Sequence, residues 1–589
     1  QDPRAFDERV VGCVFVDEND RMPRVRNVNL FESVKRSLAF SDVEYANTGK
    51  SYTDLFVPAL KREIGVYAEH NAIDLEGVRE LPDVFKEDPD ALLLLLNDIH
   101  GFKDSEKPDP NAHRPKSRIV CYKELLQNFM NGTLEQTDGV DIDEILACLP
   151  PSYGQFRAFC ATNTMRGKKL TLVDYPGAYL IARDKGKRRA WARLPKNGWP
   201  DEWKGKYTNP VVPVFGALYG LRRAGFDWDK TADDGYDELG FRSLRELDIA
   251  PAVYTRDRNN DVESIMRYTD DNILACSPQD VDTIWEEVSS VFPVPKHEGK
   301  PQYEELPFKY IGVNVHEKKV TDDIIHLAFE QVEYLKKVVD ELKVSAEKHK
   351  LKYRKNDQPM CTETEYGFRR SAGTTQKDEY LTFPGLLKDE CKHFCGELLF
   401  VQKCTRLDIS YACSILGKNL DKWGVTDDKN LIYLAGYLER TLDLCLTGYV
   451  SIKDWKEGKI HLAVKTDASF ANLPDRKGHS GWIICLCGPN TYIIIDWCSA
   501  GQKKMSLSST ETEHHACVHA TRSAIRMQMF IDGVCGVGVY STVDRNPIER
   551  ELYGDSQAML QAYASGISTQ LAHCRRTHGI SLAWAHEAW

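Results

Sequence analysis

The sequence predicts a multidomain α+β chain that closes in an α/β unit, and three observations carry that reading. At 589 residues the chain is too long for one core, so roughly two to four domains are expected. Near the middle, Val262 to Cys276 has apolar side chains on both sides of an acidic pair. It reads as two short strands joined at Thr269-Asp270-Asp271, with the carboxylates at the tip. Toward the end come a strand ending in Asp467, a helix start carrying Glu513 and a strand ending in Asp555. That order, within about a hundred residues, is expected of a metal-dependent nuclease in an α/β domain.

Composition is ordinary globular, with 42% hydrophobic and 28% charged residues. The net charge of −11 argues against a surface coated with nucleic acid, although a basic channel can sit in an acidic protein. The 17 cysteines are scattered, many in apolar runs, which fits reduced thiols in an intracellular protein. Cys391-Lys392-His393-Phe394-Cys395 has no second ligand pair at zinc-site spacing. The longest aliphatic run, Ala91 to Leu96, is too short to span a bilayer, so no membrane partner is expected. The start lacks the apolar core of a signal peptide, and the absent initiator Met points to a fragment or processed product.

In chain order, Phe31 to Leu38 and Thr53 to Pro58 are short amphipathic fragments. The acidic stretch from Leu75 to Asp90 reads as loops or linkers. His113 to Cys121 reads as a short strand with Lys116 and Arg118 on one face. Those two cations suit either a triphosphate contact or a solvated basic edge. Lys168 to Leu180 is an apolar strand that ends at Asp174 and bends at Pro176-Gly177. A carboxylate there is either a metal ligand or an ordinary turn cap. The basic run Lys185 to Arg189 is a rim near a phosphate backbone or a solvated turn.

Ala217 to Trp228 starts a helical stretch whose aromatics and arginines, Arg222 among them, suit a surface under a template strand. The acidic pair follows; two adjacent carboxylates stay ionised more easily beside a divalent cation. Val281 to Val291 reads as a helix, Phe308 to Val315 as a strand, and Ile324 to Leu342 as a strand-to-helix unit. The charged run Ser345 to Asn356 looks like a solvent-facing boundary, and Leu386 to Leu442 is mostly helical. Strands then cover Ile460 to Asp467, Gly481 to Cys487 and Thr491 to Trp497. Ser508 to Glu513 has a helix start's hydroxyl cap and acidic first turn.

Several of these segments carry a family signature in order. Val173-Asp174-Tyr175-Pro176-Gly177-Ala178-Tyr179-Leu180, Ala217 to Trp228 and Tyr268-Thr269-Asp270-Asp271 come first. Tyr310-Ile311-Gly312-Val313, Thr405 to Ala412, Leu507 to Glu513 and Gly554 to Ala558 follow. Together they resemble the reverse transcriptase and ribonuclease H portion of a Ty1/copia-type retrotransposon Pol polyprotein, over roughly residues 110 to 586. The resemblance implies an α+β right-hand polymerase of fingers, palm and thumb, followed by an α/β ribonuclease H-like domain. Its division is an N-terminal extension of uncertain role at 1–105, fingers and palm at 106–345, a mostly helical thumb or connection at 346–455, and the nuclease-like domain at 456–589.

Carried over residue by residue, Asp174, Asp270 and Asp271 become the polymerase metal ligands. Asp467, Glu513 and Asp555 become the nuclease carboxylates. Each site implies two Mg²⁺, with Mn²⁺ as a substitute. Lys116, Arg118, Tyr268 and Arg222 become substrate contacts. The implied partners are an RNA template, a DNA or tRNA primer, an RNA–DNA hybrid and deoxynucleoside triphosphates, with homodimerisation left open. The implied location is a cytoplasmic particle or the nucleus.

Departures from the family pattern are Pro176-Gly177, Thr269, Asn272 and the missing fourth nuclease acid, for which Ile580, Ser581 and His578 are the nearest residues. Thr269 is tolerable as another β-branched residue. A hydroxyl at Ser581 is a poor ligand for a hard cation. The departures support an alternative, a degenerate copy that binds nucleic acid without catalysis. The acidic charge alone supports a third, a structural or assembly protein.

Overall fold

The structure, a computed structural model, describes residues 52–103, 114–127, 134–136, 150–183, 186, 188–245, 249–259, 261–360, 384–470, 476–537 and 547–589. The Phe31 to Leu38 fragment, His113, Lys185 and Lys187 lie outside them. The described residues build a mixed α/β, multidomain fold around three large sheets.

The first sheet runs in the order Arg79–Glu80, Pro210–Val214, Ala190–Arg193, Leu92–Lys103, Arg114–Gln127, Leu134–Gln136. Alternation along Arg114–Gln127 buries Ser117, Ile119 and Cys121 on one face and leaves Lys116 exposed on the other. Helix Tyr52–Glu69 covers the buried face with Leu60, Ile64 and Tyr67, and Tyr67 Oη donates to Ile119 O at 2.5 Å. Residues 52–103 are therefore an integral part of this sheet and its cover, not an appendage beside it.

The second sheet runs Glu304–Glu305, Lys169–Asp174, Asp271–Cys276, Asp261–Tyr268, Ala250–Arg258, Arg242–Leu244. Helices Ala224–Glu238 and Val281–Val288 cover one face, burying Trp228, Tyr236 and Trp285 against Val173, Ile265 and Leu274. Helix Tyr153–Met165 lies under the other face. It starts in a capping box, in which Ser152 Oγ accepts from Gln155 N at 3.2 Å and Gln155 Oε1 accepts from Ser152 N at 2.8 Å.

The third sheet runs Phe308–Tyr310, Val313–Lys319, Ile324–Glu330, Leu446–Ser451, Tyr492–Gly501, His479–Cys487, His461–Ser469, Glu549–Gly554. It thus joins strands from before and after a helical insert, Cys391–Cys404, Ser410–Lys418 and Val425–Arg440. Ile311 (φ 44°) and Gly312 (φ 80°) break what reads as one strand at 308–315 into two. One apolar core passes from the second sheet through helix Tyr153–Met165 into the third, from Leu172 and Met266 by way of Phe156 to Trp497 and Phe530. The charged run at 345–356 faces solvent as expected through Glu347, Lys348, Lys350, Lys352, Arg354 and Lys355, while its other side chains fasten it to helix Val425–Arg440. Tyr353 Oη donates to Ala435 O at 3.2 Å and Asn356 Nδ2 to Tyr433 O at 3.0 Å, because Gly436 leaves room for the Arg354 carbonyl.

Candidate active site

The acidic hairpin forms as the sequence indicates. Strands Asp261–Tyr268 and Asp271–Cys276 pair with Tyr268 opposite Asp271, leaving Thr269 and Asp270 as the turn. On its other side Asp271 stands opposite Asp174, the last residue of its own strand. Three acidic residues from two chain segments therefore stand at one end of one sheet. Asp174 is exposed, and Asp270 and Asp271 are half-buried.

The tip is held by groups that the motif does not advertise. Thr269 has φ 55°, a left-handed conformation that a β-branched residue rarely adopts. Reading Thr269 as an easy strand replacement is therefore corrected: its β-branching adds strain at a turn. Three hydrogen bonds over-determine that turn. Trp228 Nε1 donates to Thr269 O at 2.9 Å, Tyr175 N to Asp270 O at 2.8 Å, and Asn272 Nδ2 to Asp270 O at 2.7 Å. Asn272 is fully buried and its Oδ1 accepts from Tyr236 Oη at 2.9 Å. Arg267 beneath the tip pairs with Asp229 and Tyr254. Burial, with Asp271 close by, pushes the Tyr310 phenol well above its ordinary value.

Three groups of ligand-type side chains among the described residues have all their donor atoms within 4.8 Å of one another, and Asp174, Asp270 and Asp271 are not one of them.

Of the other predicted contacts, Lys116 is exposed, and Arg118 is half-buried with Nη1 3.2 Å from Glu63 Oε1 and its guanidinium over Tyr219. Arg222 is exposed at the end of a loop. Tyr268 is only 8% exposed, with its ring edge-on to Tyr310 in the core. The helix expected from Ala217 begins only at Ala224. Gly220 is the reason. Its φ of 84° ends any helix there, and a Cβ on it would sit 2.4 Å from Cys121 O. The loop docks on the first sheet through Cys121 N, which donates to Tyr219 O at 2.7 Å. Gly220→Ala is expected to lower stability by about 1–3 kcal/mol through strain and displacement of that loop, measured by urea unfolding. An unchanged midpoint would reject the close-docking account.

The second acidic set is more tightly assembled. Strands His461–Ser469 and Glu549–Gly554 pair in parallel with Thr466 opposite Gly554, so Asp467 and Asp555, the next residue of each, lie at the same end of the sheet. Helix Ser509–Val534, capped by Ser508 Oγ accepting from Glu511 N at 3.2 Å, brings Glu513 between them. All three offer ligand oxygens within 4.8 Å of one another. Glu513 Oε1 accepts from Ala468 N at 3.2 Å, while Oε2 is buried without a hydrogen-bond partner. An orphaned carboxylate oxygen in an all-oxygen donor set fits a hard divalent cation. Beside Asp467 lies a groove of about 380 Å³ lined by Lys465, Tyr411, Trp482 and Trp497. His578 does not join this set: it pairs with Glu511 and sits 2.9 Å from His515. Ser581 caps helix Leu582–Glu587, its Oγ accepting from Trp584 N at 3.3 Å.

Burial, then the Asp467 charge, raises the Glu513 carboxyl from 4.5 to about 7. Below pH 4.5 it is protonated in both folded and unfolded chains. Between 4.5 and about 7 the folded chain holds a proton that the unfolded chain has released, so stability falls as pH rises through that window. Above about 7 the full cost remains. Without divalent cations, Glu513→Gln is expected to raise the melting temperature above pH 7 and leave it unchanged below pH 4.5. A uniform shift at every pH would contradict this origin.

No family model matches the sequence. Among curated proteins the chain is 25% identical over 312 residues to a putative transposon Ty5-1 protein of Saccharomyces cerevisiae, covering 52% of this chain and 86% of that protein. It is 26% identical over 196 residues to a retrovirus-related Pol polyprotein from transposon TNT 1-94 of Nicotiana tabacum, covering 33% of this chain and 13% of that one. A solved foamy viral protease-reverse transcriptase in complex with RNA/DNA hybrid aligns with a TM-score of 0.36 and 11% identity, over 83% of this chain and half of that chain; that score is too low to equate the folds. The chain is thus similar to retroelement Pol-type proteins. Among the described residues no helix is long and apolar enough to cross a membrane.

Proposed function

We propose that this chain is an RNA-directed DNA polymerase of the Ty1/copia type with a C-terminal hybrid-cleaving nuclease. The observation that carries the reading is the register of Asp174 against Asp271, with Asp270 at the adjoining tip. The second sheet serves as palm, the first as fingers presenting Lys116 and Arg118 to a triphosphate, and the helices between 391 and 440 as thumb. Asp174, Asp270 and Asp271 hold Mg²⁺ in the palm, and Asp467, Glu513 and Asp555 hold it in the nuclease site. Bound there, the cations supply neutralisation of phosphate charge and a more acidic attacking hydroxyl or water. The chain's own work is positioning. The rigid turn at Thr269 fixes the carboxylates, Arg222 meets the template backbone, and the groove beside exposed Tyr411 receives hybrid strands by shape.

Primer extension on an RNA template with Mg²⁺ tests the polymerase; absence of extension by the intact chain sinks it. Hybrid cleavage tests the nuclease, and Asp467→Asn is expected to lower it about 10²-fold or more. Cleavage that persists in the variant rejects that metal set. A second reading applies to the C-terminal unit alone. Ser581 is used as a helix cap and no described fourth carboxylate joins the triad, which favours a unit that binds hybrid without cutting it.

A further inference from the structure

We propose that Glu511, His573, Cys574 and His578 form a binding site for a transition-metal dication of the zinc class, separate from the acidic triad. Glu511 and Glu513 lie two positions apart on one helix, about 200° around its axis, so they face different sides. Glu511 is fully buried. Its Oε2 accepts from Leu507 N at 2.7 Å, which turns Oε1 toward the C-terminal segment. There His573 Nε2 approaches to 3.4 Å and His578 Nε2 also touches Oε1. The donor atoms of Glu511, His573 and Cys574 all lie within 4.8 Å of one another, and His578 reaches this set through Glu511 alone.

Two features separate this cluster from a plain glutamate–histidine pair. Glu511 Oε1 is shared between two imidazoles, and His573 Nε2, buried, approaches it to 3.4 Å without forming a hydrogen bond. In addition, His578 Nδ1 is 2.9 Å from His515 Nε2. That contact occupies one ring nitrogen and presents the other to Glu511, as second ligands around metal-bound imidazoles do. Two imidazole nitrogens, a thiol and a carboxylate suit zinc-class ions and not magnesium. His573, Cys574 and His578 belong to one short segment, while Glu511 belongs to helix Ser509–Val534. The ion would therefore clasp the C-terminal residues to the helix that also carries Glu513.

The test is cobalt(II) titration of the full chain, followed by visible absorption. A single tight equivalent is expected, with a thiolate-to-cobalt charge-transfer band. Cys574→Ser is expected to keep cobalt and lose that band. His573→Gln, at a side chain 36% exposed and so tolerant of change, is expected to bind at least about tenfold more weakly. Asp467→Asn is expected to retain the spectrum. Absence of the charge-transfer band in the parent, unweakened binding in His573→Gln, or loss of the spectrum in Asp467→Asn would each overturn the site. The readout needs neither polymerase nor nuclease activity, so it stands or falls apart from the function proposed above.

Discussion

Asp271→Asn is expected to reduce primer extension on an RNA template by about 10²–10³-fold or more, the scale on which a preorganised electrostatic group acts in a reaction's transition state. The substitution keeps the shape of the side chain and removes its charge. Asp271 pairs with Tyr268 on one side and Asp174 on the other, and those backbone contacts do not depend on the carboxylate. The fold should therefore survive, and removing one of three like charges should leave the melting temperature level or slightly higher. Asp270→Asn and Asp174→Asn should behave alike, because a cation held by three ligands is weakened by losing any of them.

The control is Glu305→Gln. Glu305 lies on the neighbouring strand opposite Thr171 and makes an exposed pair with Lys169. Exposed pairs of that kind contribute little, so extension should stay within about twofold of the parent. Single-turnover extension rates with matched melting curves decide the matter. Parental rates in Asp271→Asn, or an equal loss in Glu305→Gln, would remove Asp271 from the chemistry.

The hairpin was legible because its pattern is local. A turn flanked by apolar runs specifies two paired strands whatever lies around them. The same holds for the helix opened by Ser508 and for the strand carrying Asp467, which runs two residues further than expected, to Ser469. What holds the tip was not legible: Asn272 looked like a departure from the motif, yet its amide fastens Asp270 and its oxygen receives Tyr236. Tyr236 lies 36 positions away on another element, and no periodicity reports that contact. Gly220 misled in the opposite way. A helix-like composition at 217–223 concealed one residue whose left-handed backbone forbids the helix. The family resemblance put His578 near the second acidic set, whereas the fold turns it to Glu511. The order of the third sheet, with Leu446–Ser451 beside Tyr492–Gly501, depends on tertiary packing and has no signature in either strand.

Arg157 is the most consequential residue that no motif marked, and Arg157→Met is expected to cost about 3–5 kcal/mol of stability. It stands near the start of helix Tyr153–Met165 and is only 2% exposed. Burial draws its pKa down to about 10, opposed by Asp496, so it stays charged at neutral pH. Its Nε donates to Ile495 O at 2.8 Å, and Nη1 donates to Lys403 O at 2.9 Å and Cys404 O at 2.7 Å. These acceptors are short of partners for separate reasons. Ile495 is the extra residue where the pairing of His479–Cys487 with Tyr492–Gly501 shifts register, since Ile484 faces Asp496 and Cys485 faces Ile494. Lys403 and Cys404 end helix Cys391–Cys404, whose last carbonyls have no partner within the helix and whose dipole favours a cation there. One guanidinium, lying 4.0 Å from the Trp497 ring centroid, thus ties the helix beneath the second sheet to a bulge in the third sheet and to helix Cys391–Cys404. Methionine fills similar volume but donates nothing, leaving three buried carbonyls at roughly 1–3 kcal/mol each before relaxation. Arg157→Lys should fall between, because one ammonium cannot follow the spread of a planar fork. Urea unfolding of the parent and both variants measures the effect, and a loss under about 1 kcal/mol in Arg157→Met would show that water replaces the guanidinium at these carbonyls.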